Sequence, residues 1–199
     1  MKFKKFTESI VLLTLFVTSC ATNKPLPITD GCLLLKSKQG IFSSWKSSLQ
    51  SAEKKYQIPS SIILAIIYTE SKFKADARPA HKKLFGFLPL FSHLSTAYGY
   101  SQALEGTWAE YQRATNNPYA MRSNFSDAVD FIGWFLRNKS VNQNHIAPNN
   151  PFHLYLSYYY GSTQYPYVLQ HIDATAHQAA AQTAHMALLY YKQLRSCIF

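Results

Sequence analysis

The chain has 199 residues, 47% of them apolar and 15% charged, which excludes a disordered polymer and provides for one domain with a sizeable core. Lys and Arg outnumber Asp and Glu by 20 to 10, a balance that favours polyanionic partners such as nucleic acid, anionic lipid or an acidic wall polymer. No HExxH, GxxxxGK(S/T), GxGxxG or CxxC occurs, which removes the commonest signals of zinc proteases, P-loop enzymes, dinucleotide enzymes and thioredoxins.

The amino terminus reads as an address. Lys2, Lys4 and Lys5 precede an apolar run from Ile10 to Val17, too short to span a bilayer but suited to the core of a secretory signal. The run ends in Val17-Thr18-Ser19-Cys20, which resembles the lipobox of bacterial lipoproteins. That resemblance implies a signal over residues 1–19, lipidation of Cys20, and anchoring through several acyl chains. Ala21 stands where an inner-membrane retention signal would be Asp, so the implied location is the periplasmic face of the outer membrane. Residues 20–31, with Pro25 and Pro27, read as a tether, and residues 32–199 as a single globular domain. Cys32 and Cys197 sit near the two ends of that domain. In an oxidising compartment such an even pair suggests a disulfide, the alternative being two unpaired buried thiols.

Beyond the tether the spacing is helical. Ser43 to Tyr56 carries Trp45, Leu49 and Ala52 on one stripe, and a second helix opens at Ile58-Pro59-Ser60 and runs through Ile62, Ile63, Ile66 and Ile67 to Glu70. His81 to Ser95 reads as a loop rich in Phe and Leu, packed on its own domain. A third helix spans Ser126 to about Arg137, with Ser126 as N-cap and Asp127 and Asp130 at the positive end of the dipole. A fourth runs from Pro151 to Gly161, and an Ala-rich closing helix from about Asp173 to Leu194. The predicted fold class is all-α, predominantly helical.

One carboxylate stands out. Glu70 lies three and four residues beyond Ile67 and Ile66, so it continues the apolar stripe. Desolvation and the negative end of the helix dipole both disfavour its ionised form, so its pKa should rise. An acid still protonated near neutral pH is what catalysis on a glycosidic oxygen requires. The bland alternative is a residue just past the packed turn, reaching water or pairing with Lys72 or Lys74.

Ile63 to Ser71, an apolar helix ending in Glu-Ser, resembles the catalytic helix of lytic transglycosylases with the soluble-lytic-transglycosylase, lysozyme-like domain. Gly99-Tyr100-Ser101-Gln102 is similar to that family's Gly-Leu-Met-Gln motif. Ser157-Tyr158-Tyr159-Tyr160-Gly161 is similar to its Ala-Tyr-Asn-Ala-Gly motif, with Tyr159 in place of Asn. Phe73 to Pro79, Ala97 to Ala103, Asp130 to Trp134 and Cys197 further resemble its lipoprotein branch. The resemblance implies a monomeric, cofactor-free, metal-free lysozyme-like lyase. It would cleave the β-1,4 bond between N-acetylmuramic acid and N-acetylglucosamine in peptidoglycan and leave 1,6-anhydro ends. It assigns Glu70 as general acid and then base. Ser71, Tyr100, Gln102 and Tyr158 would contact substrate, with Tyr158 also bonded to Glu70.

Rival readings carry less. Gly99 to Ala103 has the GxSxA form of a nucleophile elbow but lacks the preceding strand. His171, His177 and His185 are not spaced as a common ligand pair. The positive residues are dispersed and the export signal removes nucleic acid as a partner. Two functional alternatives stay open: a muramidase that lets water attack, and a silent peptidoglycan-binding scaffold.

Overall fold

A computed structural model describes residues 28–38, 45–79, 81–84, 88–93 and 95–197. The expected signal, Cys20 and most of the tether lie outside these residues. Among the described residues the order is α1 (Gly31–Ser37), α2 (Trp45–Tyr56), α3 (Ser60–Ser71), a hairpin of β1 (His81–Leu84) and β2 (Leu88–His93), α4 (Glu105–Ala114) and α5 (Phe125–Phe135). A π-helical stretch, Leu136–Val141, leads into the single turn α6 (Asn142–Asn144). There follow α7 (Pro151–Tyr160), the short α8 (Tyr165–Val168) and α9 (Ala174–Leu194). The architecture is helical, as predicted, with one addition: the expected loop after His81 contains two antiparallel strands, pairing His81 with His93 and Leu84 with Leu88. An irregularity of register between His81 and Lys83 explains why no clean alternation marks the strands in sequence.

The centre of the molecule is α3. Ile62, Ile63, Leu64, Ala65, Ile66 and Ile67 are all at most 3% exposed, so the helix is enclosed on every side rather than along a stripe. It packs chiefly on α9, while α2 packs on α5 and α7 on α9. Pro59 occupies the N-cap, one position earlier than expected, and brings no capping side chain. That role passes to Glu53 of α2, which accepts from the Ser60 amide at 3.0 Å and its hydroxyl at 2.5 Å. At the other end Lys72 and Phe73 adopt positive φ, of 51° and 61°, and close the helix immediately behind Glu70 and Ser71.

The other helix boundaries follow local chemistry. Asn124, not Ser126, caps α5, its side chain accepting from the Asp127 amide at 3.2 Å. Asp130 does not serve the helix dipole. It accepts from the Tyr56 and Tyr111 hydroxyls, each at 2.9 Å, and from Lys55 at 3.0 Å, tying α2, α4 and α5 together. Gly133 makes room for this knot: a Cβ there would meet Tyr56 Cδ2 at 2.4 Å. Asn150 and Asp173 cap α7 and α9, whose spans agree with the sequence reading.

The ends are joined as expected. Cys32 and Cys197 form a disulfide with Cα atoms 5.9 Å apart. Residues 28–31, expected in the tether, are already docked: the Tyr190 hydroxyl donates to the Ile28 carbonyl, and Gln193 takes the Gly31 amide at 2.8 Å.

Candidate active site

A cleft of about 550 Å³ opens beside the last turn of α3. Glu70 stands on one wall and α7 supplies Tyr158, Tyr159 and Tyr160. Phe131 and Phe135 of α5 form an apolar floor, and Gln102, Ala103, Leu104 and Thr107 close the far side. Glu70 is the one carboxylate among these lining residues.

Glu70 is half-buried, with its carboxyl surrounded by protein and open toward the cleft. Burial pushes its pKa up to about 7 from the ordinary 4.5. A hydrogen bond from the Tyr155 hydroxyl and the positive charge of Lys72 act against that rise and do not cancel it. Lys72 does not form an ion pair with Glu70; its ammonium lies 3.7 Å from the centroid of the Tyr68 ring. Among the described residues neither Lys72 nor Lys74 is within salt-bridge distance of a carboxylate, so the pairing arm of the bland reading does not hold.

The α7 side chain that acts most directly on the Glu70 carboxyl is Tyr155, which the sequence reading missed. Tyr155 is 3% exposed, and burial together with the neighbouring Glu70 charge drives its own pKa far upward, so it remains a donor at any working pH. Tyr158 was expected to make this bond. Its hydroxyl instead donates to the Ser101 carbonyl at 2.6 Å, tying α7 to the turn before α4 while its ring lines the cleft. Tyr155 and Tyr158 are three apart and share a face of α7. That periodicity could have named both, but only the packing of α7 decides which hydroxyl reaches the acid.

Two other expected contacts move into the core. Tyr100 is 9% exposed and stands edge-on to Trp45 at 5.7 Å and to Phe125 at 5.5 Å, away from the cleft. Ser71 is 5% exposed, and its hydroxyl turns back to the Ile67 carbonyl at 3.0 Å. Gln102 does line the cleft. Its amide nitrogen donates to the Ala77 and Gly99 carbonyls, at 2.9 and 2.8 Å, and so holds the wall in shape. The same turn needs Gly99, whose φ is 76° and whose Cβ would lie 2.1 Å from the Arg122 carbonyl oxygen.

The rival chemistry finds no support. Ser101 is fully buried, and its hydroxyl has no partner among the described residues, so it cannot act as an exposed nucleophile beside a base. His171, His177 and His185 are exposed, and among the described residues no cluster of His, Cys, Asp and Glu is arranged for a metal.

The helical domain thus carries one desolvated carboxyl at the head of an apolar, tyrosine-lined cleft. Residues 8–197 match the transglycosylase SLT domain family, and the chain belongs to it. Its fold is similar to that of an inactive mutant of the lytic transglycosylase Slt from Pseudomonas aeruginosa. The two superpose with a TM-score of 0.55 over 76% of this chain at 18% identity. This chain covers 24% of that larger protein. No curated protein matches the sequence.

Proposed function

We propose that the protein is a peptidoglycan lytic transglycosylase that cleaves the bond between N-acetylmuramic acid and N-acetylglucosamine. The observation that carries this reading is a lone carboxyl in the cleft wall with its pKa raised to about 7. Glycosidases that use water generally employ two carboxylates flanking the scissile bond. Here the described lining offers one, and the neighbouring stretch from residue 80 to 94 contains no Asp or Glu at all. A single acid suffices where the substrate supplies both the nucleophile and the charge stabilisation.

The steps balance on that basis. Neutral Glu70 donates its proton to the glycosidic oxygen as the C1–O bond of the muramic residue breaks. The cationic centre is stabilised by the adjacent acetamido oxygen. The resulting Glu70 carboxylate then removes the proton from the C6 hydroxyl as that oxygen bonds to C1. The products are a 1,6-anhydro end and a free N-acetylglucosamine 4-hydroxyl, and Glu70 returns to its protonated form. Tyr155 holds the carboxyl through both transfers, and the apolar floor of Phe131 and Phe135 keeps it desolvated.

The resemblance of Val17-Thr18-Ser19-Cys20 to a lipobox supports a lipid on Cys20 and work on the wall from the periplasmic face of the outer membrane. Mass spectrometry of muropeptides after digestion tests the reaction. Anhydro ends support it, reducing ends indicate a hydrolase, and no cleavage indicates a binding protein. Loss of incorporated radiolabelled palmitate in Cys20→Ala tests the anchor.

A further inference from the structure

Three consecutive tyrosines end α7, and they are not equivalent. Tyr158 has its hydroxyl committed to the Ser101 carbonyl. Tyr160 has its hydroxyl committed to Asp173 at 2.5 Å, the carboxylate that also caps α9. Tyr159 lies between them, lines the cleft, is 46% exposed, and makes no hydrogen bond among the described residues. The pinned Tyr160 ring meets it edge-to-face, with centroids 5.1 Å apart and planes at 86°, which steadies one edge and leaves a face open. One turn back, the Tyr155 ring lies 6.1 Å away with its hydroxyl on Glu70. Tyr159 therefore stands about one helical turn, a rise of ~5.4 Å, beyond Tyr155 on α7. That is about the span of a single pyranose ring. The other strongly exposed tyrosines, Tyr119, Tyr167 and Tyr191, lie outside this cleft.

A pyranose presents axial C–H groups on one face and hydroxyls at its rim. An aromatic plane buries the apolar face while the rim stays wet, which is how a half-exposed tyrosine gains most from a ligand. We propose that Tyr159 is the platform on which an N-acetylated amino-sugar ring of the strand stacks, one ring from the scissile bond. The proposal rests on the glycan-cleaving reading of the same cleft.

The test uses the full chain in the non-cleaving Glu70→Gln background, titrated by calorimetry with the β-1,4 tetramer of N-acetylglucosamine. Adding Tyr159→Ala should weaken binding about tenfold with thermal melting unchanged, and Tyr159→Phe, which keeps the ring, should restore it. Equal affinity in Tyr159→Ala overturns the proposal, as does Tyr159→Phe binding as weakly as the alanine variant, or a parent that fails to bind millimolar tetramer. The two readings separate cleanly. Loss of tetramer binding in Tyr159→Ala from a protein that releases no anhydro ends removes the transglycosylase reading and leaves the platform. Unchanged binding alongside normal anhydro product does the reverse.

Discussion

Replacing Glu70 by Gln should make the protein more stable, but only where the native carboxyl is forced to ionise. The pKa of Glu70 lies near 7 in the fold against 4.5 in the unfolded chain. Between those values the folded state keeps a proton that the unfolded state has released, so wild-type stability falls as pH rises through the window and levels off above it. At ~1.4 kcal/mol per unit the full loss is about 3 kcal/mol, an upper figure because the carboxyl opens partly to the cleft. Gln has the same shape, can still accept from Tyr155, and carries no charge to desolvate. The variant and the wild type should therefore melt together near pH 4. By pH 8 the variant should be ahead by up to about 3 kcal/mol, or roughly 5–10 °C for a domain of this size. Circular dichroism melts of both proteins from pH 4 to 9, with the disulfide intact, measure the difference. Parallel curves across that range, or a variant that is weaker at pH 8, would show that the carboxyl is not held neutral by burial.

Under the proposed mechanism, release of anhydro product should decline as pH rises through about 7, where Glu70 loses its proton. In Tyr155→Phe the bond that favours the carboxylate is gone, so this alkaline limb should move to higher pH while kcat falls with the lost orientation; an unmoved limb would remove Tyr155 from its positioning role. Gly133→Ala should cost about 3 kcal/mol or more, because its Cβ would sit 2.4 Å from Tyr56 and break the Asp130 knot, with melting temperature as the readout. Reducing the Cys32–Cys197 bridge, which joins residues 165 apart in sequence, should lower stability by about 4–5 kcal/mol on loop entropy, read by denaturant titration with and without reductant.

Much of this molecule was legible where local chemistry decides structure. The start of α7 at Pro151, its stop at Gly161 and the span of α9 from about Asp173 to Leu194 were read from sequence, because each is settled within a few residues. The position of Glu70 was legible too, though for a partly mistaken reason. Ile62, Ile63, Ile66 and Ile67 suggested a stripe, whereas Leu64 and Ala65 are equally buried and the acid is desolvated because all of α3 is enclosed. Long-range packing was not legible. Tyr100 sits in a motif that suggests substrate contact, yet the stack of Trp45 on Phe125, with centroids 3.7 Å apart, draws it into the core. The choice between Tyr155 and Tyr158 as the acid's partner depends on how α7 rotates against its neighbours, and both satisfy the same helical period.

A strained acid persists only if the chain cannot relax around it, and α3 is built to prevent relaxation. Its start is fastened by Glu53, and its end is turned sharply through Lys72 and Phe73, the latter buried and 5.8 Å from Trp45. Unwinding the last turn to free Glu70 would pull Phe73 out of that aromatic cluster. The five large side chains from Ile62 to Ile67 each contribute about 1.5–3 kcal/mol on burial. Their sum, on the order of 10 kcal/mol, exceeds the roughly 3 kcal/mol cost of the ionised carboxyl several-fold. The helix that supplies most of the core is thus also the one that can carry an unfavourable acid at its tip. That coupling is the physical reason a desolvated carboxyl can stand at the end of α3 and not on a surface loop, where water would return its pKa to the ordinary value.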